Sequence, residues 1–365
     1  MQEKPVLRLA YLIGSTGWGG LEMNQLNNAR WMHSRGHFVL IVCVNNTPAA
    51  RYVEKYTIPY VLISKHQNHY DFIRAFSLWR ILTHYQIKHL IVRAVSDMSI
   101  SATVSFFSRR KVKLHYFMEM QLKAKKKQWF RTIRYRHFSS WNCPLNYMKS
   151  QVISNTNMPN DRVHIIPSAV PDVFFERPNI DKLREGLELP QDEFLIGLFG
   201  RIDRKKNQQL ALQALLQLNS PSLILLLIGQ ETPDDFQGYL SELDRYIEKN
   251  GLKEYVRFIG QVDNVADYMH AVNACLITSI EESVGMVTLE ALAAGKIVIG
   301  TNSAGTKELL GEGKGFLFDA HNPEQLATLI ENIKNTSANK ASTDMIHHRI
   351  DSVCRKVEEL LLRCS

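Results

Sequence analysis

Short apolar runs alternate with longer amphipathic stretches along the whole chain. In the first half the runs are LRLAYLI (7–13), FVLIVCV (38–44), YVLI (60–63), HLIV (89–92), KLHYFME (113–119) and VHII (163–166). In the second half they are FLIGLF (194–199), LILLLI (223–228), VRFI (256–259), ACLIT (274–278), KIVIG (296–300) and GFLF (315–318). Runs of this length suit strands, and the intervening stretches, such as 21–34 and 71–84, carry helical spacing. Strand and helix in strict alternation predict an α/β fold in which helices cover both faces of a parallel sheet. The pattern restarts near residue 194, so two doubly wound, Rossmann-like domains are expected.

The stretch IPSAVPDVFFERPNIDKL separates the halves, and Pro167, Pro171 and Pro178 each interrupt helix and sheet alike. The expected organisation is a first domain over 1–170, a linker over 171–190, a second domain over 191–340, and a C-terminal helix over 341–365 packing back towards the first domain. The two domains are expected to face one another across a cleft. Doubly wound sheets bind ligands beyond the carboxyl ends of their strands, which directs attention to the loops after each strand.

Composition narrows the class. The 365 residues suit two domains, and 45% apolar with 22% charged residues is a globular balance. The N-terminal MQEKPVLRLAYLIG lacks the features of a signal peptide, and no apolar run approaches membrane-span length, so a cytoplasmic location is expected. Five scattered cysteines without a CxxC pair suggest neither a disulfide framework nor a zinc site.

Charge adds an asymmetry to the net +8. Residues 1–178 hold 25 Lys and Arg against 9 Asp and Glu, whereas the remainder holds 19 against 27. The excess concentrates in 109–136, with eleven basic residues and a lone acid, Glu119. Such a segment attracts phosphates on nucleic acid, on lipid headgroups or on a charged substrate. With Trp129, Phe130 and Tyr135 among its charges it also suits an anionic membrane face, and a solvated helix face is the plainer alternative.

Three post-strand loops are candidates for chemistry. GSTGWGG after the first strand combines a glycine turn with a helix start, which offers unpaired N–H groups to an anion. GRIDRKKNQQ after the first strand of the second half groups Arg201, Arg204, Lys205 and Lys206, a solvated basic turn or a phosphate site. EESVGMVTLE follows ACLIT and leads into a helix. One of Glu281 and Glu282 is explained by the helix dipole alone, whereas Glu290 falls mid-helix among small and apolar residues. If the intervening turn were helical, ~100° per residue would bring positions 282 and 290 towards one face.

Taken together, these phrases resemble the retaining nucleotide-sugar glycosyltransferases of the GT-B fold, glycosyltransferase family 4. Glu282 and Glu290 fall on the family's E-x7-E motif, with SVG where GFG is frequent and EALAAG following. FGRIDRKKN resembles its GR-x5-KN phrase, and VRFIGQVDNVADYMHAVNACLITS, TNSAGTKELL and GWGGLE match further. The resemblance implies that Arg201 and Lys206 neutralise the donor diphosphate, Glu290 holds the ribose and Glu282 the donor sugar. It also implies that the amides of Val284, Gly285 and Met286 assist, that Ile259 and Val262 border the base, and that Gly19 and Gly20 approach the donor from the first domain. Retention by front-face attack needs neither glutamate as a covalent nucleophile.

The chain has no DxD motif, in keeping with transfer that needs neither metal nor cofactor. The expected partners are a nucleotide-sugar donor, a saccharide or lipid-linked acceptor as in surface-glycan synthesis, and an anionic membrane surface through 109–136. Where the family often has a histidine after KLHYFME, this chain has Glu119, which becomes the acceptor-side catalytic candidate; a surface carboxylate paired with lysine is the alternative. SAVP (168–171) replaces the family's NGVD, and IGQETP lacks its second glycine. Rival readings are a nucleotide-sugar epimerase or phosphorylase of related fold, and a nucleic-acid binder using 109–136.

Overall fold

A computed structural model describes residues 5–67, 71–218, 220, 222–231, 238–336 and 344–364. The chain divides into two compact units, Met1–Pro167 with Asp351–Ser365, and Ser168–Ile350. Each is built on one parallel sheet.

The first unit contains β1 (Arg8–Ile13), β2 (Phe38–Val44), β3 (Tyr60–Ile63), β4 (His89–Val92), β5 (Lys113–Phe117), β6 (Phe138–Cys143) and β7 (Val163–Ile165), in the order β3-β2-β1-β4-β5-β6-β7. The second contains β8 (Phe194–Phe199), β9 (Leu223–Ile228), β10 (Val256–Gly260), β11 (Ala274–Ile277), β12 (Ile297–Thr301) and β13 (Phe316–Phe318), in the order β10-β9-β8-β11-β12-β13. The strand order reverses between β1 and β4 in one sheet and between β8 and β11 in the other. At such a reversal the crossover helices leave for opposite faces, and a crevice opens at the strands' carboxyl ends.

All twelve predicted runs form strands; the thirteenth, β6, has no apolar run to announce it. Its sequence FSSWNC is buried all the same, with Ser140 Oγ and Asn142 Nδ2 bonded inside the sheet layer, although Asn142 Oδ1 has no partner there. Ser140 Oγ meets His115 Nδ1 at 2.8 Å, and Asn142 Nδ2 donates to Tyr116 O at 3.1 Å. Burial without protons keeps that layer neutral: desolvation lowers the His89 pKa to about 4 and pushes that of His115 well below its ordinary value.

The second core is almost wholly aliphatic, with Leu198, Leu212, Leu225, Leu276, Ile299 and Leu326 buried between sheet and helices. The expected linker 171–190 carries a short 3-10 turn (Asp172–Phe175) and the helix Ile180–Gly186, and packs within the second unit. Arg184 fastens it there, donating to the carbonyls of Ala271 and Gln191 and to Asn273 Oδ1 at 2.8–2.9 Å. The expected boundary at 340/341 lies outside the described residues.

The C-terminal helix Ile350–Arg363 joins the first unit. Its buried Glu358 accepts from Arg35 Nε at 2.7 Å and Nη2 at 3.0 Å, and meets His37 Nε2 at 2.9 Å. Two-pronged pairing by an arginine fork fixes the helix rotationally as well as attracting it. Among the described residues no helix is long and apolar enough to cross a membrane.

Candidate functional site

In the second unit the two loops flanking the strand-order reversal are bound to each other. β8 ends at Phe199, Gly200 follows with a φ of +130° that suits glycine, and the chain turns through Asp203. Buried Asp203 accepts from the amides of Lys205 and Lys206 at 2.9 and 3.0 Å, shaping the basic turn from beneath. Thr278 Oγ1, at the end of β11, donates to Lys206 O at 2.6 Å, and Ile280 N donates to Lys205 O at 3.2 Å. The turn is therefore held to the EESVGM loop by backbone contacts that do not depend on a ligand.

Lys206 Nζ pairs with Glu282 Oε2 at 2.6 Å, and Ser279 Oγ donates to the same oxygen at 3.0 Å. Arg201 is exposed, with only a 3.6 Å approach to Asp203. Arg204 is engaged elsewhere, donating to Glu242 at 2.5 Å and lying over the Tyr239 ring. Of the four bases predicted from the turn, Lys206 is paired with Glu282, Arg204 serves a surface contact, and Arg201 and Lys205 are exposed.

The helix after the loop starts at Met286 (Met286–Ala293), past both Val284 and Gly285. Gly285 has φ +80° and caps it without a side chain. Residues 282–285 are not helical, so the phase argument that aligned positions 282 and 290 does not hold. The carboxylates are arranged by the left-handed glycine and the loop, not by helical repeat. First-turn N–H groups with no side-chain cap are left to solvent or an anion. Val284 is buried, and Gly305 N donates to Glu282 O at 2.9 Å, with no room at Gly305 for a Cβ. The helix Ala304–Leu310 therefore clamps this loop closely from behind.

Glu290, partly buried on the helix Met286–Ala293, has its pKa pushed by desolvation from 4.5 up to about 8. A carboxyl group so placed gains by receiving hydroxyl donors, which replace the lost water. Ile259 and Val262 lie at the carboxyl end of β10, on the same end of the sheet, where Gly260 adopts φ +78°. Glu281 is exposed.

The first unit has its own reversal between β1 and β4. Gly14 N donates to Asp97 Oδ2 at 3.0 Å, and His66 Nε2 donates to Asp97 Oδ1 at 3.0 Å. The other His66 nitrogen, Nδ1, donates to Gln67 O at 3.0 Å. Both partners are acceptors only, so the ring carries both protons. Burial opposes that charge, but the hydrogen bond to Asp97 and the Gln67 carbonyl outweigh it and raise the His66 pKa. Sequence reading missed His66 and Asp97, which come from loops after β3 and β4 and make no local motif.

In the first unit Gly14 is a position where glycine is sterically required: a Cβ there would lie 2.2 Å from Asp97 Oδ1. Gly19 caps the helix Gly20–Ser34 without a side chain, and Gly20 faces open space. Glu119 is bonded to Arg93, correcting the alternative in which it paired with a lysine at the surface; both side chains are largely buried. The basic segment 109–136 comprises β5, irregular chain after it and one short helix, Trp129–Tyr135, so most of it does not form a solvated helix face.

Comparison with known proteins adds to this geometry. The family model "Glycosyl transferases group 1" matches residues 179–348, and "Glycosyltransferase Family 4" matches residues 18–173. A D-inositol 3-phosphate glycosyltransferase of Paenarthrobacter aurescens is 28% identical over 191 residues, 50% of this chain and 46% of that protein. The lipopolysaccharide core biosynthesis glycosyltransferase LpsE of Rhizobium meliloti is 29% identical over 152 residues, 41% of this chain and 42% of its own. The matches therefore span less than half the length of these curated relatives. Anabaena HepE, crystallised with UDP, superimposes with a TM-score of 0.85 over 98% of this chain and 100% of that one at 20% identity. The same protein has been crystallised with UDP-glucose.

Proposed function

Because the chain belongs to the group 1 glycosyltransferases of family 4 and has their GT-B fold, we propose that it transfers a sugar from a nucleotide-sugar donor to a saccharide or lipid-linked acceptor. The observation that carries this reading is the juxtaposition of Lys206, Glu282 and an uncapped helix start at the β8/β11 reversal. Donor binding to HepE, of the same fold, supports a UDP-sugar as the first donor to try.

In this reading Arg201 and Lys206 neutralise the diphosphate as it leaves, with the N–H groups at Val284, Gly285 and Met286 adding fixed donors. Preformed charges of this kind stabilise a leaving group without reorganisation at the moment of reaction. Lys206 has three N–H donors, so it can keep Glu282 and still meet a phosphate oxygen. Glu282 then presents its remaining lone pairs to the sugar hydroxyls, and Glu290 accepts from the ribose. Ile259 and Val262 border the base. Retention of anomeric configuration and independence of metal are parts of the same proposal, as are a cytoplasmic location and a synthetic role in surface glycans.

The test is incubation with nucleotide sugars, with and without saccharide and lipid-linked acceptors, in EDTA. Acceptor-dependent release of nucleotide with an α-linked product from an α-linked donor supports the proposal. An isomerised sugar formed without acceptor would overturn it.

A further inference from the structure

Two cavities in the first unit meet at one residue. The first, of about 410 Å³, lies among the helices Phe72–His84, Met98–Phe107 and Trp129–Tyr135, and is walled by Phe72, Phe106, Trp129, Phe130 and Ile133. These side chains are exposed despite their size, Trp129 at 75% and Phe106 at 69%. The second, of about 330 Å³, is lined by Ser96, Met118 and Met120 beyond the ends of β4 and β5, and by Lys126, Arg131 and Arg134. Arg134 lines both. No carboxylate lines either among the described residues.

The arginines are incompletely used. Arg134 Nη1 donates to Ser99 Oγ at 2.6 Å, while the buried Nε of Arg134 and the buried Nε of Arg131 have no hydrogen-bond partner. Buried donors without acceptors are uncommon because each forfeits its hydration. Three cations in one pocket also repel each other until an anion arrives. The apolar cavity makes a different demand. A peptide laid along it would need partners for its N–H and C=O groups, and the polar side chains of the wall are already engaged, Thr103 with Ser99 O, Arg134 with Ser99 Oγ and His137 with Ser105; a hydrocarbon chain needs none.

We infer that the two cavities form one site for a single phosphorylated lipid, its chain against Phe72, Phe106, Trp129 and Ile133 and its phosphate held by Lys126, Arg131 and Arg134. The charge pattern selects the occupant: an apolar groove with cations confined to one end matches a molecule that is apolar along its length and doubly charged at its head. The phosphate end lies beside Ser96, which donates to Asp97 at 3.1 Å and so adjoins the support of Gly14. The head therefore sits at the carboxyl ends of β4 and β5, the ligand-binding end of such a sheet. Naming this lipid as the acceptor rests on the glycosyl-transfer reading; its binding does not.

The probe is dodecyl phosphate below its micelle concentration, with dodecanol and inorganic phosphate as controls, titrated calorimetrically against the intact chain without nucleotide sugar. Saturable binding at one per chain is expected, about 10-fold or more tighter than dodecanol. Arg131→Gln, at a residue that lines the second cavity and not the first, should remove most of that preference and leave dodecanol binding unchanged. Phe106→Ser and Trp129→Ser, at exposed positions that the fold does not need, should weaken both amphiphiles at least several-fold. Equal affinity for dodecanol and dodecyl phosphate, or binding indifferent to Phe106→Ser, would overturn the assignment. So would a response to phosphatidylglycerol vesicles with none to the monomer, which is a membrane surface and not a lipid site. Lipid binding without acceptor-dependent transfer would retain the site and reject the transfer reading; transfer without lipid binding would do the reverse.

Discussion

Replacing Glu290 with glutamine exchanges a carboxyl group that folding makes costly to ionise for an amide of nearly the same shape. Its pKa is about 8 in the folded chain against an ordinary 4.5, so the folded state holds a proton that the unfolded state has released over that interval. Stability changes with pH in proportion to the difference in bound protons, and here the folded state binds more, so this group's contribution is complete below pH 4.5 and declines as pH rises through about 8. At about 1.4 kcal/mol per pH unit, the interval from 4.5 to neutrality corresponds to a penalty of up to about 3 kcal/mol, less whatever solvent access recovers. Glu290→Gln should accordingly be more stable than the native chain at pH 7 by ~1–3 kcal/mol, a few degrees in Tm for a domain of this size.

The same exchange should weaken donor binding. A carboxylate accepting from two ribose hydroxyls loses roughly 10- to 100-fold on becoming an amide, because charge-assisted bonds contribute about 1.5–3 kcal/mol. Since hydroxyl donors favour the ionised form, donor binding to the native chain at pH 7 should release up to about one proton, visible as a buffer-dependent binding heat that the variant lacks. Thermal unfolding of both chains from pH 4 to 9 provides the assay. The reasoning is refuted if their stability difference does not widen between pH 4.5 and 8, or if the variant binds nucleotide sugars as tightly as the native chain.

Two further predictions concern the first unit. Gly14→Ala should cost about 2 kcal/mol or more in denaturant unfolding, because its Cβ would stand 2.2 Å from Asp97 Oδ1, whereas Gly20→Ala has open space and should stay within ~0.5 kcal/mol; equal stability of the two variants would contradict the packing. His66 has a raised folded pKa, so its contribution is complete below its unfolded value of ~6.5 and is lost as pH rises through the folded one. The stability gap between the native chain and His66→Gln should shrink between pH 6 and 9, and a gap that grows would show that the ring is not held as an imidazolium.

The parts of the fold that were legible in the sequence are those whose interactions are local. β8, β9 and β11 are apolar runs bounded by turns, and burial on both faces of a parallel strand leaves that mark. β6 was hidden because Ser140 and Asn142 satisfy each other and their neighbours' atoms, which hydropathy cannot register. The basic turn was legible as charge, but not the division of labour within it, which depends on Glu242 38 residues from Arg204. The spacing of Glu282 and Glu290 was visible, yet the geometry that relates them comes from the left-handed Gly285 and not from helical repeat. His66, Asp97 and Gly14 converge only once β3, β1 and β4 are assembled in one sheet, with β2 between β3 and β1, and no short window along the chain contains all three. The same holds for Glu358 and its partners Arg35 and His37, more than 300 residues away.

The central claim is that the β8/β11 crevice binds the diphosphate of a nucleotide sugar through Lys206. Thermal unfolding of the native chain and of Lys206→Ala, each with a panel of nucleotide sugars, tests it most directly. A donor at 100 times its Kd should stabilise the native chain by about 2.7 kcal/mol, and this gain should vanish in the variant while its unliganded fold persists. Equal stabilisation of both chains by the same nucleotide sugar would contradict the account.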